Sequence, residues 1–494
     1  MKNRSIVIWL LALCLIMLAA STMACAVENA TLPKAPTVTH QQIILGGQPL
    51  KYNVTAGILP VYDEKGNETA RMFYLAYVRD GLKNTESRPV SFFFNGGPGT
   101  PSQMVNILAF GPKTVPLGNN STPIGPPYKL EDNPDTLLNM TDLVFMDPVG
   151  TGYSNAVPPS DDKKFWTVDT DIGSMSEFAR VYLRRANRTD SPVFIGGESY
   201  GGLRAAGMAL KLQSLGIYPL GIILISPAIA LDISSTGDFS GDVNNLPAIA
   251  ATAWYHKKSG ARLLNKTLDE VLQEVRIWAQ NDYLRALWHG NNLTNEERDA
   301  VVKRLADYTG LPEDYIRSNN LRINGFSSKL FEGQRLWISL YDGRITGPEG
   351  NDPLFPMTFP ALAMAFDTHL RKDLGYQTDR YYNTLSFDVG RDWTYRSKQG
   401  RYTYTGDDLA SALKNSRYLK VFSASGIYDL IVPYDEVLFE LHQMDIPPAI
   451  IPNIQAKSYP GGHMPYLDKI ARKQLISDLR VFYKGALMNW SSAK

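Results

Sequence analysis

Short, almost continuous runs of apolar residues recur along the first half of this chain, and segments with helical spacing separate them. An apolar run of about four to eight residues is typical of a strand that is covered on both faces, as in a parallel sheet. Strands that alternate with helices therefore predict an α/β fold with a mostly parallel central sheet flanked by helices. The buried strands are predicted at residues 90–94, 143–146, 192–195 and 220–225.

The pattern changes twice along the chain. Residues 41–78 alternate apolar and polar side chains around glycine-containing turns, which predicts antiparallel strands. Helical and Pro/Gly-rich segments then replace the alternating scheme, and the scheme returns near the end. We therefore expect four segments after the N-terminus: a flexible lead-in at 27–40, a first part of the core at 41–231, a mainly helical cap inserted at 232–408, and a second part of the core at 409–494.

The N-terminus has the pattern of an export signal. Lys2 and Arg4 precede an apolar run at residues 6–20, and small residues follow it. This order is typical of a cleaved signal peptide, here residues 1–26, so the mature protein is expected to be secreted or periplasmic. An uncleaved membrane anchor is the weaker interpretation because the run is short for a bilayer span, so no stable membrane span is expected after processing.

Cysteine occurs only at Cys14 and Cys25, within the predicted signal peptide. Cleavage after residue 26 would leave a mature chain without disulfides. Lipid attachment at Cys25 is a less favoured alternative, because Thr22 stands where a bacterial lipidation signal usually has a branched aliphatic residue.

The charge pattern excludes some classes of partner. Lys and Arg number 50 against 49 Asp and Glu, with no dense basic run after the first few residues, so nothing indicates nucleic acid binding. The six His residues are scattered, and no metal or other cofactor is expected. The sequence gives no indication of the oligomeric state.

A candidate nucleophile follows the third buried strand. Gly197-Glu198-Ser199-Tyr200-Gly201 has an apolar strand before it and a helical pattern after it. A tight strand-to-helix turn between glycines exposes a serine hydroxyl, as in the nucleophile elbow of α/β-hydrolases. We therefore predict an α/β-hydrolase fold with Ser199 as the nucleophile.

Two residues near the C-terminus fit the other catalytic roles. A serine hydroxyl needs a base to take its proton, and the base needs a carboxylate to orient it. Asp429 and His463 each follow a predicted strand, in the chain order nucleophile, acid, base that this fold uses. Asp435 competes with Asp429 for the role of the acid, but it falls within the following helix, so Asp429 is preferred.

The oxyanion of the reaction intermediate needs hydrogen-bond donors. A glycine-rich loop beginning at Asn95 comes directly after the strand at 90–94, where this fold places its second oxyanion loop. The backbone amides of Gly97 and Tyr200 are the predicted donors.

Three separated blocks resemble the serine carboxypeptidase family: NGGPG at 95–99, DPVGTGYS at 147–154 and GESYGG at 197–202. The segments around Asp429 and His463 add to this likeness, which spans the predicted mature chain apart from the cap. The resemblance implies removal of single residues from the C-termini of peptide substrates. It also implies that Asn95, Gly96 and Glu198 bind the terminal carboxylate, Glu198 doing so in its protonated form.

Two positions depart from the family pattern. Many members have a second Glu that shares a proton with the one before the nucleophile, and Ala109 stands at that position here. Thr100 replaces a common Cys, which is consistent with a disulfide-free bacterial or archaeal branch. Ala109 leaves open a proline-iminopeptidase-like aminopeptidase, an esterase or an acyltransferase on the same scaffold. A binding protein that has lost catalysis is disfavoured by the intact set of candidate residues.

Overall fold

A computed structural model describes residues 31–33, 35–83, 85–118, 121–231, 239–395 and 403–491. The predicted signal peptide at 1–26, with both cysteines, lies outside these ranges. Within the described ranges, no helix is both long enough and apolar enough to cross a lipid bilayer.

A central sheet of ten strands forms the core of the fold. Nine of its strands are β1 (Thr37–Leu45), β2 (Gln48–Tyr62), β3 (Glu68–Arg79), β4 (Val90–Phe94), β5 (Asp142–Met146), β6 (Val193–Glu198), β7 (Gly221–Ile225), β8 (Lys420–Gly426) and β9 (Ile454–Tyr459). They lie side by side in the order β1-β2-β3-β5-β4-β6-β7-β8-β9, and Asn155–Ala156 adds to β3 as the tenth.

The first three strands are antiparallel neighbours, and β3 also pairs antiparallel with β5. From β5 to β9 every neighbouring pair is parallel. The predicted antiparallel entry and mostly parallel centre are therefore confirmed. All of the parallel strands end at the same edge of the sheet, where the candidate catalytic loops begin.

The longer helices are α1 (Val168–Arg185), α2 (Tyr200–Ser214), α3 (Ser240–Tyr255), α4 (Leu268–Trp278), α5 (Asn295–Thr309), α6 (Leu354–Thr368), α7 (Gly406–Asn415), α8 (Tyr434–His442) and α9 (Lys469–Ser491). At the start of α5, Thr294 and Glu297 form a capping box. Short helical segments also occur, at Val105–Phe110, Asp162–Phe165, Ala261–Leu264, Ala279–Tyr283, Leu284–His289, Gly290–Asn292, Glu313–Ser318, Phe326–Lys329, His369–Asp373, Phe387–Asp392, Ile451–Asn453 and Pro465–Leu467. The remaining short strands pair two by two: Lys113–Thr114 with Glu131–Asp132, Ala230–Leu231 with Thr403–Tyr404, and Leu336–Ile338 with Thr346–Pro348.

Apolar side chains cover both faces of the central strands. Ile195 and Ile222 belong to a buried cluster with α1, α2 and α7, whereas their neighbours Phe194 and Ile223 belong to a second cluster with α9. Successive side chains on a strand point to opposite faces, so burial on both faces requires an unbroken apolar run. This is why the strands β4 to β7 could be located from the sequence.

The inserted segment divides into two structural parts. Residues 243–338 have a hydrophobic core of their own. By contrast, residues 354–382 contribute Leu362 and Phe366, among others, to the cluster that covers the main sheet. Strand β1 begins at Thr37, within the segment 27–40 that was predicted as a lead-in.

Candidate active site

The turn between β6 and α2 has the strained shape of a nucleophile elbow. Ser199 has φ +58° and ψ −127°, a backbone conformation that residues other than glycine rarely adopt. A Cβ atom on Gly197 would lie 1.9 Å from the Gly201 carbonyl oxygen, so the glycine is required for the close approach. The Ser199 amide also donates to the Ile225 carbonyl at 2.9 Å, which fixes the turn against β7.

The imidazole of His463 is held by Asp429. His463 Nδ1 lies 2.7 Å from Asp429 Oδ2, and both side chains are buried. The other carboxylate oxygen accepts the backbone N–H groups of Ile431 and Val432, each at 2.9 Å. The pair leaves Nε2 as the ring nitrogen available for proton transfer.

Burial and charge act in opposite directions on His463. Desolvation alone lowers its pKa, but the charge of Asp429 and the hydrogen bond to it outweigh burial, so the net effect raises the pKa. The pair therefore stabilises the imidazolium that forms when the ring accepts a proton.

Ser199 and His463 meet at one cavity. A cavity of about 250 Å³ is lined by both side chains together with Gly97 and Glu198. The direct contact between the Ser199 hydroxyl and the imidazole stays a prediction. Proton-transfer contacts of this kind are often long before substrate binds.

Asp435, the alternative acid, makes a different contact. Its Oδ1 lies 2.5 Å from Nε of Arg276, an ion pair between α8 and α4. This bond ties the cap to the core and leaves Asp429 as the carboxylate on His463.

The predicted oxyanion loop packs against the elbow. A Cβ atom on Gly96 would lie 2.5 Å from the Tyr200 amide nitrogen and 2.6 Å from the Glu198 carbonyl oxygen. The loop can therefore approach this closely only because residue 96 is glycine. Gly97 and Tyr200 line a second, larger cavity together with Ser199, the predicted nucleophile.

Glu198 lies in a buried polar network under the smaller cavity. Its Oε2 accepts a hydrogen bond from Asn95 Nδ2 at 3.0 Å and another from the Tyr466 hydroxyl. The amide oxygen of Asn95 accepts the backbone N–H of Val105 at 3.1 Å, which fixes the orientation of the amide. Burial raises the pKa of Glu198 to about 7, although the charge of His463 and the two hydrogen bonds act against it.

Tyr466 is a member of the site that the sequence analysis missed. Tyr466 lies in the short helical turn Pro465–Leu467, just before α9 begins at Lys469. The local sequence around Tyr466 carries no signal that would have indicated its contact with Glu198. Ala109 is fully buried in the segment Val105–Phe110, and the ring of its neighbour Phe110 lies 6.4 Å from the ring of Tyr466.

Asp147, from the second motif block, braces the loop after β5. Its two carboxylate oxygens accept the backbone N–H of Ser102 and the hydroxyl of Tyr382, each at 2.8 Å. The described residues offer no group of three or more His, Cys, Asp or Glu side chains arranged to hold a metal ion.

Comparisons with known proteins agree with this site on the fold and on the class of enzyme. The fold is the α/β-hydrolase fold: the structure aligns with a prohormone-processing carboxypeptidase from Saccharomyces cerevisiae at a TM-score of 0.53 and 15% identity, over 80% of this chain and 77% of that one. Residues 47–213 match a family model described as serine carboxypeptidase. Together these findings indicate a serine hydrolase.

Curated relatives carry the same description. Serine carboxypeptidase-like 13 of Arabidopsis thaliana is 29% identical over 160 residues, which cover 31% of this chain and 34% of that protein. The retinoid-inducible serine carboxypeptidase of Rattus norvegicus is 33% identical over 150 residues, 30% of each chain. Serine carboxypeptidase-like 9 of Arabidopsis thaliana matches over a longer stretch, 58% of this chain and 75% of that protein, at 23% identity. The chain spans about a third of the length of the first of these relatives.

Proposed function

We propose that this protein is a serine carboxypeptidase that removes single residues from the C-termini of peptides. One observation carries the proposal: the buried pair of Asn95 and Glu198 lies beside the cavity that Ser199 and His463 line. An amide and a protonated carboxyl group can both donate hydrogen bonds to a terminal carboxylate. If these two groups bind the terminal carboxylate one residue beyond the bond that Ser199 attacks, cleavage is restricted to the last peptide bond.

In the proposed reaction, Ser199 Oγ attacks the last peptide carbonyl while His463 takes the hydroxyl proton. The amides of Gly97 and Tyr200 stabilise the oxyanion. His463 then gives the proton to the departing amine, which releases the C-terminal amino acid and leaves an acyl group on the serine. A water molecule, deprotonated by His463, cleaves that ester and restores the hydroxyl.

Glu198 sets the expected pH range. An ionised Glu198 would repel a substrate carboxylate, so only the protonated form serves the proposed role. With a pKa of about 7, Glu198 is protonated in most of the protein molecules at mildly acidic pH. Activity on peptides with a free C-terminus should therefore fall as the pH rises through about 7.

The test is release of the C-terminal amino acid from N-blocked dipeptides. We expect release by the wild type, none by Ser199→Ala, and at least about a hundredfold slower cleavage of the matching C-terminal amides, which lack the charge that Asn95 and Glu198 would bind. Equal rates on acids and amides would show that the site does not read a carboxylate. Activity that persists in Ser199→Ala would remove the nucleophile from the proposal.

Export is the second element of the proposal. Residues 1–26 have the signal-peptide pattern, and their removal would leave a chain without cysteine, in keeping with a disulfide-free branch of bacterial or archaeal origin. N-terminal sequencing of protein recovered from the medium or the periplasm tests this. We expect the mature chain to start at about residue 27, whereas intact Met1 on a protein retained in the cell would contradict export.

A second candidate, an aminopeptidase, is favoured by one observation. Ala109 removes the carboxyl group that would share a proton with Glu198, and Tyr466 donates to Glu198 instead. An ionised Glu198 would bind an ammonium group rather than a carboxylate. Cleavage of proline amides with a free amino terminus, with N-blocked dipeptides left intact, would favour this candidate.

A further inference from the structure

A second cavity, of about 1050 Å³, also reaches Ser199. Gly97 and Ser199 line this larger cavity as well as the smaller one that contains Glu198 and His463. If the C-terminal residue of a substrate occupies the smaller cavity, as in the proposed function, the residue before the scissile bond has to occupy the larger one.

Acidic side chains outnumber basic ones in the larger cavity. Of the described residues that line it, three are acidic, Asp242, Glu436 and Glu440, and one is basic, Arg322. Arg322 is already in an ion pair with Asp242. The remaining two carboxyl groups lie four residues apart on α8, so they are neighbours on one face of the helix.

Glu440 has one carboxyl oxygen without a hydrogen-bond partner, although the backbone amides of Ala230 and Ile229 bond to the same carboxyl group. Its side chain is 6% exposed, and its Oε2 is buried without a hydrogen-bond partner. Glu436 differs, because its Oε2 accepts a bond from Asn244 Nδ2 at 2.8 Å. A buried carboxyl oxygen without a partner costs free energy, and a cation that reaches it removes that cost.

The rest of the lining suits a long side chain with a charged end. The rings of Tyr395, Tyr404 and Phe439 line the same cavity as Glu440. Aromatic rings pack well against the methylene groups of Lys and Arg, and their faces attract the cationic head. Burial, followed by the charge of Glu436, raises the pKa of Glu440 to about 9, and a bound cation would shift the group back toward its ionised form.

We propose that the larger cavity selects a residue with a lysine or arginine side chain immediately before the scissile bond, and that Glu440 is the group that pairs with its charge. The inference rests on the proposed function for the direction in which the substrate lies. It depends on Ser199 being reactive, but not on whether the smaller cavity reads a carboxylate.

The experiment compares two phosphonate esters that react with a catalytic serine, one with a lysine side chain and one with norleucine, which has the same chain length without the charge. We expect the lysine probe to label Ser199 about tenfold faster in the wild type, as about 1.4 kcal/mol of ion pairing predicts. In Glu440→Gln the rate with the lysine probe should drop to that with the norleucine probe. Glu296→Gln, an exposed glutamate on α5, serves as the control and should keep the tenfold preference.

Equal labelling by the two probes in the wild type would overturn the inference, as would a lysine preference that survives in Glu440→Gln. The wild-type comparison decides the matter even where a variant fails to fold. If neither probe labels Ser199, the serine hydrolase function fails and the inference fails with it. If the lysine preference is present but dipeptide acids are not cleaved, the cavity keeps its cationic ligand and only the carboxypeptidase activity is contradicted.

Discussion

The hydroxyl of Tyr466 donates a hydrogen bond to the carboxyl group of Glu198, and both side chains are buried. The same carboxyl oxygen accepts the amide of Asn95 at 3.0 Å. Both donors favour the ionised form of Glu198, whereas burial favours the neutral form. The protonation state of Glu198 is therefore set by burial, which raises its pKa, against the charge of His463, the phenol and the amide, which lower it. Position 109 is alanine and supplies no second carboxyl group.

Tyr466→Phe should shift the pH profile of the carboxypeptidase reaction. Losing a hydrogen bond that favours the ionised form raises the pKa of Glu198 further, so activity should persist to a pH about one unit higher before it falls. A hydrogen bond to a charged group contributes about 1.5–3 kcal/mol, and one pH unit corresponds to about 1.4 kcal/mol. The measurement is kcat/KM on an N-blocked dipeptide between pH 5 and pH 9.

Tyr459→Phe is the matched control for this change. Tyr459 is also buried and also donates to a carboxylate, but its hydroxyl bonds to Asp478 at 2.8 Å rather than to Glu198. Its profile should match that of the wild type. Superimposable profiles for Tyr466→Phe and Tyr459→Phe would show that the phenol of Tyr466 does not control Glu198.

Asp429→Asn should abolish most of the activity while leaving the fold intact. Asparagine can keep an oxygen for the amides of Ile431 and Val432, but its NH₂ group would face His463 Nδ1 and favour the wrong tautomer. We expect kcat/KM to fall by about 10³- to 10⁴-fold. Asp435→Asn, which breaks the bond to Arg276, should cost stability and keep most of the activity. The reverse result would make Asp435 the orienting acid.

The sequence located the elements that are covered on both faces. The strand at Val90–Phe94 was predicted to the residue, because its five positions are all buried and all but Ser91 are apolar. At the site, glycines marked the two tight loops in the sequence, since Gly197 and Gly96 lie where a Cβ atom would clash with a neighbouring backbone. Chain order and strand ends then placed Asp429 and His463 at one edge of the sheet.

Contacts between distant side chains could not be predicted in the same way. Tyr466 and Glu198 are 268 positions apart, and nothing in the local pattern around either residue indicates the other. The division of the predicted insertion into two parts could not be predicted for the same reason. Helix α6 is apolar on several sides, and only the fold determines that it packs on the main sheet rather than on the hydrophobic core of residues 243–338. The periodicity of apolar residues shows which face of a helix or strand is buried, but not which other element covers that face.

Arg344, in the segment predicted to be inserted, contacts the loops that carry Asp429 and His463, and we expect its removal to weaken the fold and the site together. Its guanidinium pairs with Asp342 and Asp468, donates to the Pro460 carbonyl at 3.0 Å, and lies 4.9 Å from the ring centre of Tyr428. Tyr428 directly precedes Asp429, and Pro460 is three residues before His463.

Arg344→Met should therefore lower the free energy of unfolding by about 3 kcal/mol, because it leaves two partly buried carboxylates without their partner. It should also lower kcat more than it changes KM, since the two loops would lose their common support. Denaturant unfolding and steady-state kinetics measure these effects. Arg335→Met is the control: that arginine is 83% exposed in its ion pair with Glu349, so its loss should change stability by less than about 1 kcal/mol. Equal effects of the two changes would contradict a linking role for Arg344.

Asp147 should make the stability of the fold depend on pH. Burial raises its pKa from 3.8 to about 7, although the bonds from Ser102 and Tyr382 act against burial. Because the folded protein holds this proton more tightly than the unfolded chain, the stabilising effect is complete below about pH 4 and is lost as the pH rises to about 7. In Asp147→Asn this dependence should be absent, and the difference in unfolding free energy between wild type and variant should change by up to about 4 kcal/mol from pH 4 to pH 8.

Denaturant unfolding at each pH measures this difference. Glu198 titrates in the same range, but its contribution cancels from the difference because both proteins contain it. The exposed Asp190→Asn serves as the control, and a wild-type curve parallel to that of Asp147→Asn would show that the buried carboxyl does not titrate in this range.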